Sequence, residues 1–178
     1  MKSSKLFFQF GLFSALLVFS GRLALAEGQA LNTGSQMPAF SYHELNGKLL
    51  RPADLRGHPY VLWLVASWCS SCQTGSAVVG EHIDLLKQRG VKIVELRLAK
   101  DLGAAGPGLK TFQQSVGAKA FSPNWYWGEA SQAQTLALDP KGYADLYYLV
   151  DGKGKIVTIA GNPAASWDTI ETFSEMYR

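Results

Sequence analysis

Two residues of this chain stand out for the chemistry they could do together. Cys69 and Cys72, in Trp68-Cys69-Ser70-Ser71-Cys72, are the only cysteines present. Two thiols three apart can cycle between dithiol and disulfide. At a helix start the first thiol would lie among orphan N–H groups and the positive end of the helix dipole, both of which favour an anion. The thiolate is the reactive form, so that placement activates Cys69 as nucleophile. Cys72, one helical turn on, is placed to resolve a mixed disulfide. Two other roles fit poorly. A structural zinc site needs about four ligands, and there is no second cysteine pair. A stapling disulfide gains most by closing a long loop, and this one closes almost none.

The flanking segments supply the junction that this chemistry needs. Tyr60 to Ala66 is an uninterrupted apolar run, the pattern of a central strand buried on both faces. Ser70 to Arg89 follows with Val79, Ile83 and Leu86 on one face and Gly90 as its stop, the pattern of a helix. Ser70 is expected to help cap it. Before the strand, Phe40 to Leu50 alternates around Asn46-Gly47, a hairpin signal, and Pro52 to Leu55 reads as one helical turn. After the helix, Val91 to Ala99 reads as a strand with one polar edge that includes Glu95. Pro107 to Val116 reads as a helix, Trp125 to Trp127 as a short strand, and Glu129 to Leu138 as a helix stopped by Asp139-Pro140. Leu146 to Val150 and Ile156 to Ala160 are strands joined by Asp151-Gly152-Lys153-Gly154. Asn162-Pro163 reads as an N-cap with Pro at N1 of a last helix that buries Trp167, Ile170, Phe173 and Tyr177. The order β-α-β-α-β-α-β-β-α predicts an α/β domain: a mixed sheet flanked by helices, with an early parallel pair, a late antiparallel edge and an N-terminal hairpin extension. That is the thioredoxin layout.

The first 26 residues have the form of an export signal. Lys2 and Lys5 precede an apolar run from Leu6 to Gly21, and Ala24-Leu25-Ala26 offers a cleavage site. The run is shorter than the roughly 20 residues a membrane helix needs, though the segment could persist as an uncleaved anchor. Residues 27–34 are expected to be a flexible lead-in and 35–178 a single thioredoxin-like domain. The leader carries Lys2, Lys5 and Arg22 and no acid, so the formal net charge of +3 falls to zero beyond it. That leaves no electrostatic footprint for nucleic acid. Export implies an oxidising compartment, where a lone Cys-x-x-Cys is expected to be catalytic.

The sequence also resembles a known family, the exported thioredoxin-like disulfide reductases of the TlpA/ResA type. The resemblance runs from Gly34 to the C-terminus. It rests on Gly34-Ser35-Gln36-Met37-Pro38-Ala39-Phe40, Asn46-Gly47-Lys48, Ala53-Asp54-Leu55-Arg56-Gly57-His58-Pro59, Ala66-Ser67-Trp68-Cys69-Ser70-Ser71-Cys72 and Val150-Asp151-Gly152-Lys153-Gly154-Lys155-Ile156-Val157. It implies a periplasmic or otherwise extracytoplasmic thiol–disulfide oxidoreductase, soluble after cleavage near Ala26 or membrane-anchored if uncleaved. It further implies a monomer with no cofactor, fed by a membrane-bound electron donor. The clients it implies are oxidised proteins or the apoproteins of cytochrome c maturation. Trp68, Ser70 and Ser71 carry over as supporting residues of the motif.

Three departures from the family pattern matter. The dipeptide between the cysteines, Ser70-Ser71, lacks proline. The buried acid that many thioredoxins place six residues before the first cysteine is replaced by Trp63. The cis-proline that faces the cysteines is replaced, counting back from Asp151, by Asp145. A non-proline cis bond costs about 2.5–4 kcal/mol, so a trans peptide is expected there. Asp145 either approaches the dithiol, where its charge would oppose the Cys69 thiolate, or points to solvent. Asp145→Pro is expected to restore a family-like loop.

The alternatives are a thioredoxin-fold copper or thiol-metal carrier and, more remotely, a thiol peroxidase. The carrier lacks further ligands. His82 is ten residues beyond Cys72 on the same helix, about 15 Å along it; His58 precedes the central strand and His43 sits in the hairpin. Two thiolates alone leave copper(I) under-coordinated, so no tightly held metal is expected. The peroxidase would need an activating Arg or Thr beside Cys69, and the motif has neither. Ser70 and Ser71 lack a basic partner for serine-nucleophile chemistry. Trp125, Tyr126 and Trp127 are expected in the core or along a substrate groove.

Overall fold

The computed structural model describes residues 31–177. The expected export signal and the first half of the lead-in lie outside that range. Residues at the end of the lead-in are tied down: the Gly34 amide donates to the Ile156 carbonyl at 2.8 Å and the Ile156 amide to Ser35 at 2.9 Å.

A two-stranded hairpin, β1 (Tyr42–His43) and β2 (Leu49–Leu50), comes first, followed by one 3-10 turn at Pro52–Leu55. The main sheet then begins with β3 (Tyr60–Val65), whose six residues are all buried. Helix α1 (Ser70–Gln88) leads to β4 (Lys92–Arg97), parallel to β3. Helix α2 (Leu109–Val116) and β5 (Trp125–Glu129) extend the parallel set. Helix α3 (Gln132–Leu138), strands β6 (Leu146–Val150) and β7 (Ile156–Gly161), and helix α4 (Trp167–Met176) complete the chain. The sheet order is β5-β4-β3-β6-β7, with β6 and β7 antiparallel to their neighbours. This is a thioredoxin-like fold with an N-terminal two-stranded extension.

Alternation along the strands sorts the core into two layers. Val61, Trp63 and Val65 pack with Val79, Ile83 and Leu86 of α1, Phe112 of α2, and Ile170 and Phe173 of α4. Tyr60, Leu62 and Leu64 face the other way, onto Phe40, Tyr42, Leu50 and Leu138. A β3 apolar on both faces therefore crosses the centre of the molecule. Its C-terminal end points into the turn that carries Cys69.

Two sequence expectations differ from the structure. The third helix begins at Gln132, because Trp125 to Glu129 stays in strand pairing with β4 and Ser131 caps the helix through the Gln134 amide. The last helix begins at Trp167 rather than at Pro163. Asn162 has φ +53 and closes a turn through its own Oδ1 to the Ala165 amide, which uses up the capping side chain one turn early.

Candidate functional site

Cys69 and Cys72 form a disulfide where β3 gives way to α1. Cys69 itself is the N-cap of α1, and its Sγ accepts from the Cys72 amide at 3.2 Å. The helix-start placement read from the sequence is therefore realised with sulfur as the capping atom. Ser70, exposed at the first helical position, does not cap; its carbonyl accepts from the Thr74 hydroxyl. The Ser71 hydroxyl lies 3.2 Å from Cys69 Sγ. Cys69 is 7% exposed and Cys72 is fully buried. Cys69 thus presents only a small window, but it is the one of the two that solvent reaches.

The turn before the disulfide is held from below. Asp101 is buried and accepts from the Ser67 amide and hydroxyl, both at 2.8 Å, and from Arg97 at 3.3 Å. Its carbonyl accepts from the Trp68 indole at 2.7 Å, so Trp68 is anchored at one edge while its ring stays 44% exposed beside the disulfide. Lys100, Asp101 and Leu102 all have φ between +51 and +57, a left-handed turn built without glycine at those positions. Such backbone is costly and persists where the surroundings over-determine it. Here the Ser67 and Arg97 contacts to Asp101 do so.

Asp145 does approach the dithiol. It precedes β6, is 6% exposed, and brings a carboxylate oxygen within 4.8 Å of both sulfurs. Among the described residues no peptide bond is cis. The Trp63 indole donates to Asp145 Oδ1 at 3.0 Å, so the residue standing in the usual acid position holds the new acid instead. Oδ2 accepts no hydrogen bond of good geometry; the nearby Ser71 hydroxyl is engaged with Cys69. Burial raises the Asp145 pKa above the usual carboxylate range, and the Ser71 hydroxyl and the Trp63 indole, as polar neighbours of the carboxylate, offset part of that rise. Asp145 also has φ +75, donates its amide to Leu64 at 2.9 Å and accepts from the Asn162 amide. Proline fixes φ near −65° and has no N–H, so the position cannot take the Asp145→Pro substitution as it stands.

Glu95 is an acid of the site that sequence reasoning placed on a polar strand edge. It lies opposite Trp63 in the β3–β4 register and is completely buried beneath α1. Its Oε1 is 3.1 Å from the Ser76 hydroxyl, which also lies 2.9 Å from the Cys72 carbonyl; Oε2 accepts from the Trp125 indole at 3.0 Å. Burial pushes its pKa well above the ordinary range; Ser76 and Trp125 pull it down and the Asp145 charge adds to the rise. A protonated Glu95 satisfies every atom. Its O–H donates to Ser76, and Ser76 is then free to donate to Cys72. The only available signal was a charged residue at an inward position of the strand, where Val91 and Ile93 set the alternation.

The remaining candidates are not gathered here. His43 and His58 are exposed in the hairpin and the turn before β3, and His82 stacks on Trp167 at 4.2 Å between ring centres. Trp125 and Trp127 are core residues stacked at 4.9 Å, and only Tyr126 is half-buried toward the surface.

The fold and this disulfide define a thioredoxin-like protein whose cysteine pair occupies the turn from β3 into α1. The comparisons with known proteins agree. The chain is 26% identical over 120 residues to the thiol-disulfide oxidoreductase ResA of Bacillus subtilis (strain 168), covering 65% of each chain. It therefore spans just under two thirds of that relative's length. It is 36% identical over 73 residues to the thiol:disulfide interchange protein DsbE of Pseudomonas fluorescens biotype C, covering 40% of this chain and 39% of that one. Among solved structures, the thioredoxin domain of a thiol-disulfide oxidoreductase from Bacteroides vulgatus matches with a TM-score of 0.63 at 19% identity. That match covers 82% of this chain and 99% of the other. No family model matches the sequence.

Proposed function

We infer that the protein is an extracytoplasmic thiol–disulfide oxidoreductase that reduces protein disulfides. The observation that carries this reading is Cys69 as the N-cap of α1, its sulfur receiving the Cys72 amide while Cys72 lies buried one turn on. A donated N–H and the helix dipole stabilise a thiolate at Cys69. In the reduced protein the Cys69 thiolate attacks one sulfur of the substrate disulfide. The other substrate sulfur leaves as a thiolate and takes up a proton. Cys72, deprotonated, then attacks Cys69 Sγ and expels the second substrate thiol. Two electrons pass to the substrate and the Cys69–Cys72 disulfide remains, to be reset by a donor.

The names of the relatives support thiol-bearing proteins as substrates. Trp68, exposed beside the disulfide, offers an apolar docking surface for them. Extracytoplasmic placement rests on the form of the first 26 residues, and a membrane-bound donor and a monomeric state are part of the same reading. Among the described residues no helix is long and apolar enough to cross a membrane.

The test is insulin-disulfide reduction with a dithiol as electron source. The wild-type protein should accelerate it, Cys69→Ser should abolish the acceleration, and Cys72→Ser should accumulate a mixed disulfide through Cys69. Iodoacetamide should label Cys69 first in the reduced protein. No acceleration together with no trapped adduct would overturn the reading.

A further inference from the structure

The sulfurs of Cys69 and Cys72 and a carboxylate oxygen of Asp145 lie within 4.8 Å of one another, all three residues buried. We propose that the reduced protein binds a divalent zinc-class cation through these three groups, and that the disulfide form does not. This goes beyond disulfide exchange and gives the dithiol a second, mutually exclusive state.

The donor set fits the ion. Zinc takes thiolate and carboxylate ligands in tetrahedral sites, with Zn–S of about 2.3 Å and Zn–O of about 2.0–2.2 Å. Those lengths place two sulfurs about 3.8 Å apart and each about 3.6 Å from the oxygen. Opening the S–S bond frees the sulfurs to part to that separation, and the carboxylate has to close by about 1.2 Å at most. Soft copper(I) gains little from a carboxylate, whereas borderline zinc accepts both ligand types. Three protein ligands leave a fourth position for water on the side where Cys69 reaches solvent.

The surroundings are those of a ligand set. Trp63 fixes Asp145 through Oδ1, which leaves the buried Oδ2 without a hydrogen bond and with lone pairs to offer. The Cys72 amide and the Ser71 hydroxyl orient Cys69 Sγ. Outer partners of this kind orient and tune ligands. Charge gives the driving force: two buried thiolates beside a buried carboxylate are unfavourable alone, and a dication compensates them. Binding releases the thiol protons, up to two per ion. Transfer of two electrons to a substrate disulfide re-forms the Cys69–Cys72 bond, which removes both thiolates and expels the metal.

The probes are Zn2+ and Co2+ added to the purified protein after reduction with a phosphine, which supplies two electrons to the disulfide, and after its removal. Reduced wild type should take up one Zn2+ in competition with a chromophoric chelator. With Co2+ it should show sulfur-to-metal charge transfer and tetrahedral d–d bands. The oxidised protein should show neither. Asp145→Asn keeps an acceptor for Trp63 but loses the anionic ligand. It should weaken Zn2+ by more than the roughly 10–100-fold that an outer-shell loss costs. Absence of uptake by the reduced wild type overturns the proposal. Wild-type affinity in Asp145→Asn, with circular dichroism showing both folded, overturns the assignment of Asp145. Insulin reduction in metal-free buffer is read separately, so loss of one property does not imply loss of the other.

Discussion

At the scale of single residues, two buried acids lie near the cysteine turn at different distances from the sulfurs. Asp145 sits within 4.8 Å of both. Two unit charges at that distance repel by about 0.9 kcal/mol even at the dielectric of bulk water, a factor of about 4 in an equilibrium. Above the titration of Asp145, the Asp145→Asn protein should therefore hold several-fold more Cys69 thiolate at a given pH, and its couple should be more oxidising. Iodoacetamide rates against pH for the two proteins give the answer, and superimposed profiles would show that the carboxylate does not act on Cys69. Glu95 acts through Ser76 on the Cys72 carbonyl and does not meet the sulfurs. Its folded pKa is raised, so it holds its proton where the unfolded chain, at about 4.3, has already lost it. The stability this contributes is present below that value and is lost as pH rises toward the folded pKa. Glu95→Gln, whose amide can donate to Ser76 and accept from Trp125, should be more stable than wild type at neutral pH and lose less stability between pH 5 and 8. Urea denaturation across that range checks the sign; a steeper loss in the variant would show that Glu95 is charged in the folded protein.

At the scale of elements, helix α1 reaches the sheet through Gly75. A Cβ there would lie 2.7 and 2.8 Å from ring carbons of Trp63, and 3.3 Å from Pro163. The indole that holds Asp145 thus occupies the space a side chain on α1 would need. Gly75→Ala should cost about 1–3 kcal/mol, the range for overpacking a tight core, and should move the Asp145 carboxylate with Trp63. Denaturant melts measure the first effect, and a changed pH profile of Cys69 alkylation reports the second. Much of this element scale was legible in the sequence. A short run apolar at every position and rich in β-branched and aromatic residues reads as a strand covered on both sides, and Asn46-Gly47 and Asp151-Gly152-Lys153-Gly154 announce their turns by residue type. The rest was hidden for physical reasons. Nothing in Lys100-Asp101-Leu102 asks for left-handed backbone; the burial of Asp101 under Ser67, 34 residues away, imposes it. Asn162 has the composition of a helix cap, yet a turn claims its side chain first. Glu95 looks like surface because its partners, Ser76 and Trp125, come from two other elements.

At the scale of the whole molecule, the redox turn lies where β3, α1, the 99–103 turn and the start of β6 converge, so distant segments jointly fix one pair of sulfurs. The N-terminal segments also pair with part of each edge of the sheet. Glu44 bridges to Gly128 and the Leu45 amide donates to the Trp127 carbonyl, laying the N-terminal hairpin along β5. Gln36 bridges to Lys155 at the β6–β7 turn, where the Met37 amide donates to the Gly154 carbonyl. The hairpin is seated by Tyr42, whose ring packs against Gly128, where a Cβ would come within 1.9 Å of it. Gly128→Val should evict Tyr42 and lift the hairpin while leaving the cysteine turn intact. Light scattering on warming should then rise well below the unfolding transition, and an unchanged onset would show that the hairpin is not the restraint. An open strand edge is a template for pairing with another chain. The two N-terminal segments therefore occupy part of each open edge, within β5 and at the start of β7, and leave less free backbone there for another chain to pair with.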